Sequence, residues 1–243
     1  VFEGLRRPFR GVAGEVRIAP MKNVPPEKAP PEHRLDLRAL APGLRASVAV
    51  GGATSNAGKT RAVERLLAGF RAAGVPTLAL KVTRTHLATC PRGNEACGTC
   101  DSLGGDFEVV RDPARLATPG KDTARYLAAG AVEVRWLLVK PSAMAAGIRA
   151  ALADFPSGAA LVAEGNSFLD WTRPDLALMA VWDREPPKAS ATYVLDRVDA
   201  FVPRPGRAGA AVPAPVAGVP VLDDAALWPF VAERLGLAGT CAR

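Results

Sequence analysis

No apolar run of 18 or more residues occurs in these 243 residues, so nothing in the chain reads as a membrane-spanning helix. The segment Val1-Phe2-Glu3-Gly4-Leu5-Arg6-Arg7 also lacks the apolar stretch of a secretory signal. A cytoplasmic protein without a membrane partner is the expectation. Aromatic residues are scarce, at 6%, and the net charge of +7 is uneven: nine Lys/Arg against five Asp/Glu in residues 1–45, and 22 against 19 in the rest. A nucleic-acid groove needs clustered basic residues interleaved with aromatics, so no nucleic-acid partner is expected. Internal repeats are absent. Cysteines number four, and in a reducing compartment they do not point to disulfide staples. At 49% hydrophobic residues, the chain has enough apolar material for one sizeable core, and its length does not require two domains.

Seven prolines fall within residues 1–43, and Pro25-Pro26-Glu27-Lys28-Ala29-Pro30-Pro31 cannot continue a helix or a central strand. That segment is expected to be an extended arm, either a tail without a role or a docking arm through which a homodimer would form. Residues 44–243 form the expected globular domain. Its strands read at Leu44–Val50, Pro76–Val82, Val132–Val139, Ala159–Ala163, Leu176–Val181 and Val194–Val202, with Val219–Leu222 a further short apolar run. Helices read at about 60–73, at Asp122–Ala129 ended by Gly130, from a cap at Ser142 to Phe155, and at Asp223–Leu235. Short apolar strands alternating with helices predict an α/β fold: a mostly parallel sheet with helices on both faces. Residues 83–121 remain as a long irregular insertion, and loops of that length inside a domain are usually functional.

The most informative stretch is Val48-Ala49-Val50-Gly51-Gly52-Ala53-Thr54-Ser55-Asn56-Ala57-Gly58-Lys59-Thr60. An apolar strand runs into Ala-x4-Gly-Lys-Thr and then into a helix whose Val63, Leu66, Leu67, Phe70 and Ala73 recur at helical spacing. This is the pattern of a phosphate-binding loop (P-loop). Backbone N–H groups of the turn and the helix N-terminus converge on phosphates, Lys59 adds a point charge, and the Thr60 hydroxyl holds Mg²⁺. Ala53 stands where the motif usually has its first glycine. Thr54, Ser55, Asn56, Ala57, Gly58, Lys59, Thr60 and Arg61 are the expected nucleotide-binding residues.

Ligands of such sheets collect beyond the carboxyl ends of the strands, which ranks the remaining candidates. Glu164 follows Leu161-Val162-Ala163 and is placed to bind the Mg²⁺ water shell or orient a water; an ordinary strand-end carboxylate is the alternative. Lys81 lies near the end of an apolar strand, where an unpaired ammonium is costly. A phosphate would satisfy it, and so would a structural ion pair. Thr118-Pro119-Gly120-Lys121-Asp122-Thr123-Ala124-Arg125 opens a helix. Local physics favours Asp122 as its cap, with metal or substrate contact by Asp122 and Thr123 the other option and Lys121 and Arg125 facing anions.

The phosphate loop, Lys81-Val82-Thr83-Arg84, the run from Pro119-Gly120-Lys121-Asp122-Thr123 to Ala129-Gly130-Ala131, and Glu164-Gly165 succeed one another in an order that resembles the molybdopterin-guanine dinucleotide biosynthesis protein B family. These are small P-loop NTPases of the SIMIBI class that bind GTP and assist nucleotide attachment during molybdenum cofactor maturation. The resemblance covers roughly residues 46–182. It implies that Lys59, Thr60, Lys81, Lys121, Asp122 and Glu164 surround one Mg²⁺-nucleotide site, with Lys59, Asp122 and Glu164 catalytic and a cofactor-maturation protein as partner. The spelling Thr54–Thr60 also resembles dethiobiotin synthetase, so an ATP-dependent small-molecule kinase or ligase is the rival function, and a nucleotide-gated metal-binding adaptor a third. Thr83-Arg84-Thr85-His86 replaces the family's histidine-rich strand exit, and Glu164-Gly165 continues as Asn166-Ser167-Phe168. No Asn-Lys-x-Asp or Thr-Lys-x-Asp motif reads guanine, so GTP and ATP both stay open.

Cys90-x6-Cys97-x2-Cys100 gathers three of the four cysteines in the insertion. With His86, or with Cys241 as a remote alternative, they would make a tetrahedral zinc set; three thiolates with an open position suit an iron–sulfur cluster or a substrate metal, and unligated thiols are the remaining option. The insertion leaves the carboxyl end of the second strand, so a metal there would order a lid over the nucleotide.

Overall fold

The apolar run preceding the glycines forms the fifth strand of a seven-stranded sheet, flanked on both sides and buried throughout. A computed structural model describes residues 34–85, 103–181, 187–204 and 218–237. Its elements in chain order are α1 (Leu37–Leu40), β1 (Ala46–Gly52), α2 (Lys59–Ala72), β2 (Thr77–Arg84), β3 (Phe107–Val110), α3 (Pro113–Leu116), α4 (Asp122–Ala129) and β4 (Glu133–Val139). These are followed by α5 (Met144–Leu152), β5 (Ala160–Glu164), α6 (Asn166–Trp171), β6 (Leu176–Val181), α7 (Ala189–Thr192), β7 (Ala200–Pro203) and α8 (Leu227–Arg234). The strand order is β3-β4-β2-β5-β1-β6-β7, and every neighbouring pair is parallel except β3 with β4. The chain is thus an α/β protein with a mostly parallel sheet.

Side chains alternate across the sheet with the two-residue strand period. Val48 and Val50 of β1, Ala79 of β2 and Val162 of β5 pack with α2, α4 and α8. Ala49, Leu78, Leu80, Leu161 and Ala163 pack on the other face with α1, α5, α6 and α7. Helices therefore cover both faces, which explains why the central strands carry apolar residues at consecutive positions. Among the described residues no helix is long and apolar enough to cross a membrane.

Several local expectations are corrected. The insertion is not irregular throughout: β2 runs on to Arg84, and 107–116 supply the antiparallel edge strand β3 and the helix α3, capped by Asp112 through Ala114 N–H at 2.7 Å. Ser142 caps nothing. It lies in a 3-10 turn at Pro141–Ala143, and α5 stops short of Phe155 because Arg135 takes the carbonyls of Ala151 and Ala153 at 2.7 and 2.6 Å. The run Val194–Val202 begins as a 3-10 turn at Leu195–Arg197 and becomes strand only at Ala200, after Asp199 has accepted the Ala177 N–H at 2.8 Å. Val219–Leu222 contributes one bridge pair, Val221 to Phe201, and the last helix starts at Leu227, after a turn in which Asp223 accepts the Ala226 N–H at 2.7 Å. Of the proline-rich segment, residues 1–33 lie outside the described residues. From Leu35 onward the chain is no extended arm: Leu35 bridges to Thr172, and Leu35, Leu37 and Ala41 are buried in the core.

Candidate functional site

The glycine-bearing turn joins the carboxyl end of β1 to α2, as the strand–turn–helix pattern requires. Ala53 N–H continues the ladder to the Ala180 carbonyl at 2.8 Å, then the chain turns through Ser55 and Asn56, both exposed. Asn56 and Gly58 have φ of 57° and 100°, the left-handed region, and Gly58 meets it without a Cβ penalty. Thr54 and Ala57 are buried beneath the turn. Gly58 is the N-cap of α2, and no side chain caps that end. The helix therefore opens on the turn with its first N–H donors free of a side-chain acceptor. Lys59 folds back over the strand exit: a Cβ on Gly52 would lie 2.8 Å from its Cδ and 3.0 Å from its Nζ. Arg61 is turned away and pairs with Asp224 at 3.0 Å.

Strand register then collects the charged residues. Lys81 and Glu164 are Cα partners on β2 and β5, and Glu164 is also the partner of Val50 on β1. Both sit at the parity that faces α2 and α4. From α4, Asp122 and Tyr126 project four residues apart onto that same side. Asp122 accepts hydrogen bonds from the Thr60 hydroxyl at 2.9 Å and from the Lys81 ammonium. Tyr126 donates its hydroxyl to Glu164. Arg125, next along the helix, clamps Glu64 of α2 with two bonds of 2.7 Å and holds α4 against α2.

Asp122 is therefore not the cap of α4. Lys121 holds the N-cap position without a side-chain bond, and Asp122, one residue later, is spent on Lys81 and Thr60. A lysine and a hydroxyl supplied by two other elements outweigh the local preference. The structural ion pair weighed for Lys81 is made with this carboxylate. Lys121 itself is exposed at the helix start.

The electrostatics divide the two carboxylates. Burial pushes Asp122 up, but the Lys81 hydrogen bond and charge, then Thr60 and Arg125, outweigh it and hold Asp122 below the usual carboxylate range. Glu164 is only 6% exposed. Burial holds its carboxyl above the ordinary range, opposed by the charges of Lys81, Lys59 and Lys188. Paired acids pushed in opposite directions are a frequent mark of functional sites.

Three contributors were not singled out from the sequence. Tyr126 is legible only as the position four residues beyond Asp122. Asn166, just past Glu164-Gly165, brackets Gly52, accepting its N–H at 2.7 Å and donating to its carbonyl at 3.1 Å. Lys188 has no sequence signal at all, yet its N–H donates to the Ala53 carbonyl at 2.8 Å. His86, Cys90, Cys97, Cys100 and Cys241 lie outside the described residues. Among the described residues no group of three or more His, Cys, Asp and Glu side chains is placed to hold a metal.

The fold and the site together define an α/β protein with a cation-rich site at the carboxyl edge of its sheet. No protein-family model, curated protein or solved structure matches the chain.

Proposed function

We propose that the turn between β1 and α2 is a P-loop that binds the phosphates of a magnesium nucleoside triphosphate, GTP or ATP, and that the protein slowly hydrolyses it in support of molybdenum cofactor maturation. One observation carries the triphosphate assignment. The uncapped N-terminus of a 14-residue helix opens on a left-handed glycine turn, with Lys59 lying over the strand exit beside it. N–H donors, the positive end of the helix and an ammonium together make an anion site.

The oxygen donors fit Mg²⁺, which prefers a hydroxyl and one or two carboxylates and retains water. Thr60 and Glu164 are the ligands or water-shell partners in this scheme, and bound Mg²⁺ would supply charge neutralisation between the β- and γ-phosphates. Asp122 accepts the Thr60 proton, which leaves the lone pairs of that hydroxyl available, and Lys81 keeps Asp122 ionised. Glu164 orients the attacking water. It would take a proton from that water as the bond to the γ-phosphorus forms and the bond from that phosphorus to the β-phosphate oxygen breaks, with the diphosphate leaving. Tyr126 fixes the Glu164 carboxylate, and Lys59 follows the charge on the phosphates.

The maturation role rests on the resemblance of the Pro119–Ala131 run and its order with the other motifs, and it implies a cofactor-maturation protein as partner. Two measurements test the proposal. Calorimetry with Mg²⁺-ATP and Mg²⁺-GTP is expected to show binding to the wild type and its loss in Lys59→Ala, whose fold stays intact because Lys59 contributes charge rather than packing. Wild-type protein that binds neither nucleotide refutes the assignment. Addition of the protein to a nucleotidyl-transfer reaction should raise the yield of molybdopterin guanine dinucleotide; an unchanged yield removes the maturation role and leaves triphosphate binding standing.

A further inference from the structure

The ladder between β1 and β5 ends where the P-loop begins. Glu164 is the last β5 partner of β1, opposite Val50, and the next N–H, that of Gly165, still donates to the Val50 carbonyl at 3.1 Å. There the chain leaves the sheet: the Gly165 carbonyl accepts Phe168 N–H at 3.1 Å and Leu169 N–H at 3.4 Å and opens α6. The N–H and carbonyl of Gly52 face the same side as those of Val50 but lie beyond the end of β5. Peptide groups left unpaired in the interior are costly. Asn166 supplies the missing rung. Its Oδ1 accepts the Gly52 N–H at 2.7 Å, and its Nδ2 donates to the Gly52 carbonyl at 3.1 Å. A carboxamide carries the donor and the acceptor of a peptide group, so a side chain here continues a backbone ladder.

The fit of that side chain is close. Asn166 is 7% exposed, and a Cβ on Gly51 would lie 2.8 Å from its Oδ1. The turn that brings it there needs Gly165, whose φ is 146° and whose added Cβ would meet the Val82 carbonyl oxygen at 3.1 Å. On the other side of the rung, Gly52 is the residue over which Lys59 lies, with a Cβ there only 2.8 Å from Lys59 Cδ. Glu164, two residues before Asn166, belongs to the same corner and is held from α4 by Tyr126. The lysine and the carboxylate are thus both referenced to Glu164-Gly165-Asn166.

We infer that Asn166 is a positioning residue, whose carboxamide stands in for a strand peptide and holds Gly52 at a fixed distance from Glu164, so that Lys59 and the water-orienting carboxylate keep their spacing across the triphosphate. The inference rests on the triphosphate reading and extends it to the residue that joins the two halves of the site. Displacements of about 1 Å in such a constellation are enough to cost a large part of the rate. A purely structural asparagine would stabilise the corner and set neither property.

The test compares Asn166→Ala with wild type, at a temperature where both are folded, by calorimetry with Mg²⁺-ATP and Mg²⁺-GTP and by hydrolysis at saturating nucleotide. Triphosphate affinity should fall about tenfold or more, and turnover of the saturated protein about tenfold besides, because Gly52 carries Lys59 with it when the rung is lost. Two controls isolate the role. Gly69→Ala, overpacked against Trp228 within α2, lowers stability and should leave both quantities at wild-type values. Ser190→Ala removes only the 3.2 Å contact from Asn166 to α7 and should also leave both unchanged. If Asn166→Ala does not fold, Asn166→Asp takes its place: it keeps the shape and the acceptor for the Gly52 N–H, lacks the donor to the Gly52 carbonyl, and should show the same fall in turnover at saturation. Wild-type affinity and turnover in a folded Asn166 variant overturn the inference, whatever its melting temperature. A loss in Asn166→Ala confined to one of the two quantities overturns it too, and so does a Ser190→Ala that reproduces the loss, which would place the effect in α7. Wild-type protein that binds neither nucleotide is a separate result, which removes the triphosphate reading and the inference with it.

Discussion

Replacing Gly52 by alanine perturbs the site through a single methyl group. Gly52 ends β1 with extended backbone, so alanine meets no conformational penalty, but its Cβ would lie 2.8, 2.9 and 3.0 Å from Lys59 Cδ, Cγ and Nζ. Carbon–carbon contacts settle at about 3.5–4.0 Å, so the lysine chain must move by about 0.7–1.2 Å. That chain is flexible, and its displacement should cost the fold under about 1 kcal/mol. Function is less tolerant. A charge-assisted contact is worth about 1.5–3 kcal/mol, so losing most of it should weaken Mg²⁺-triphosphate binding about ten- to a hundredfold. Calorimetric titration of Gly52→Ala, paired with a thermal melt, measures both quantities. Unchanged affinity with an unchanged melting temperature would show that the position of Lys59 over the strand exit has no part in binding, and the assignment of its role would fail.

Glu164→Gln should lower triphosphate hydrolysis far more than binding, since it removes the proton acceptor while keeping an oxygen for Tyr126; equal loss in both, or in neither, returns Glu164 to an ordinary strand-end carboxylate. The same variant tests the pH linkage. Because the folded-state pKa of Glu164 is raised above 4.5, its contribution to stability is full below that value and is lost as pH rises through the folded pKa, so Glu164→Gln should melt higher than wild type at neutral pH with the gain vanishing in acid. A lower melting temperature at neutral pH refutes this. Gly69→Ala places a Cβ 2.2 Å from the Trp228 ring, which also packs edge-on against Phe70 at 5.1 Å. Overpacking of about 1–3 kcal/mol against about 1 kcal/mol of helix propensity predicts a net loss of up to about 2 kcal/mol, with triphosphate affinity unchanged; a melting temperature at or above wild type would contradict the packing. If Cys90, Cys97 and Cys100 share a metal with His86, purified protein should carry about one equivalent of zinc, or iron with a visible chromophore, and Cys97→Ser should lose it and become more open to proteolysis within 83–121. Metal-free wild type that resists cleavage equally well would show ordinary thiols.

The strand–turn–helix unit at 48–72, the helix Asp122–Ala129 with its Gly130 stop, and β6 at Leu176–Val181 were legible in the sequence, because each follows from apolar spacing, with glycines marking the turn of the first and the end of the second. Gly130 has φ of 104°, the conformation a glycine stop provides. Where partners come from afar, local signals misled. Asp122 looks like a cap until Lys81 and Thr60, 41 and 62 residues away, compete for its oxygens. The start of the Val194–Val202 run satisfies its backbone in a 3-10 turn, although its composition suits a strand. Residues 107–116 form a strand and a helix because β4 offers a free edge, which no spacing within the insertion reveals.

By itself the sequence determined the parts that short-range sterics and side-chain period control: the central strands β1, β2, β4, β5 and β6, the helices α2 and α4, and where the glycine turn falls. Only the tertiary structure decided which side chains meet. The pairing of β2 with β5 sets Lys81 opposite Glu164, the packing of α4 on that face adds Asp122 and Tyr126, and Asn166 ties the Lys188 segment to β1. Strand register and helix docking minimise the free energy of the whole core, so no local window of residues contains them.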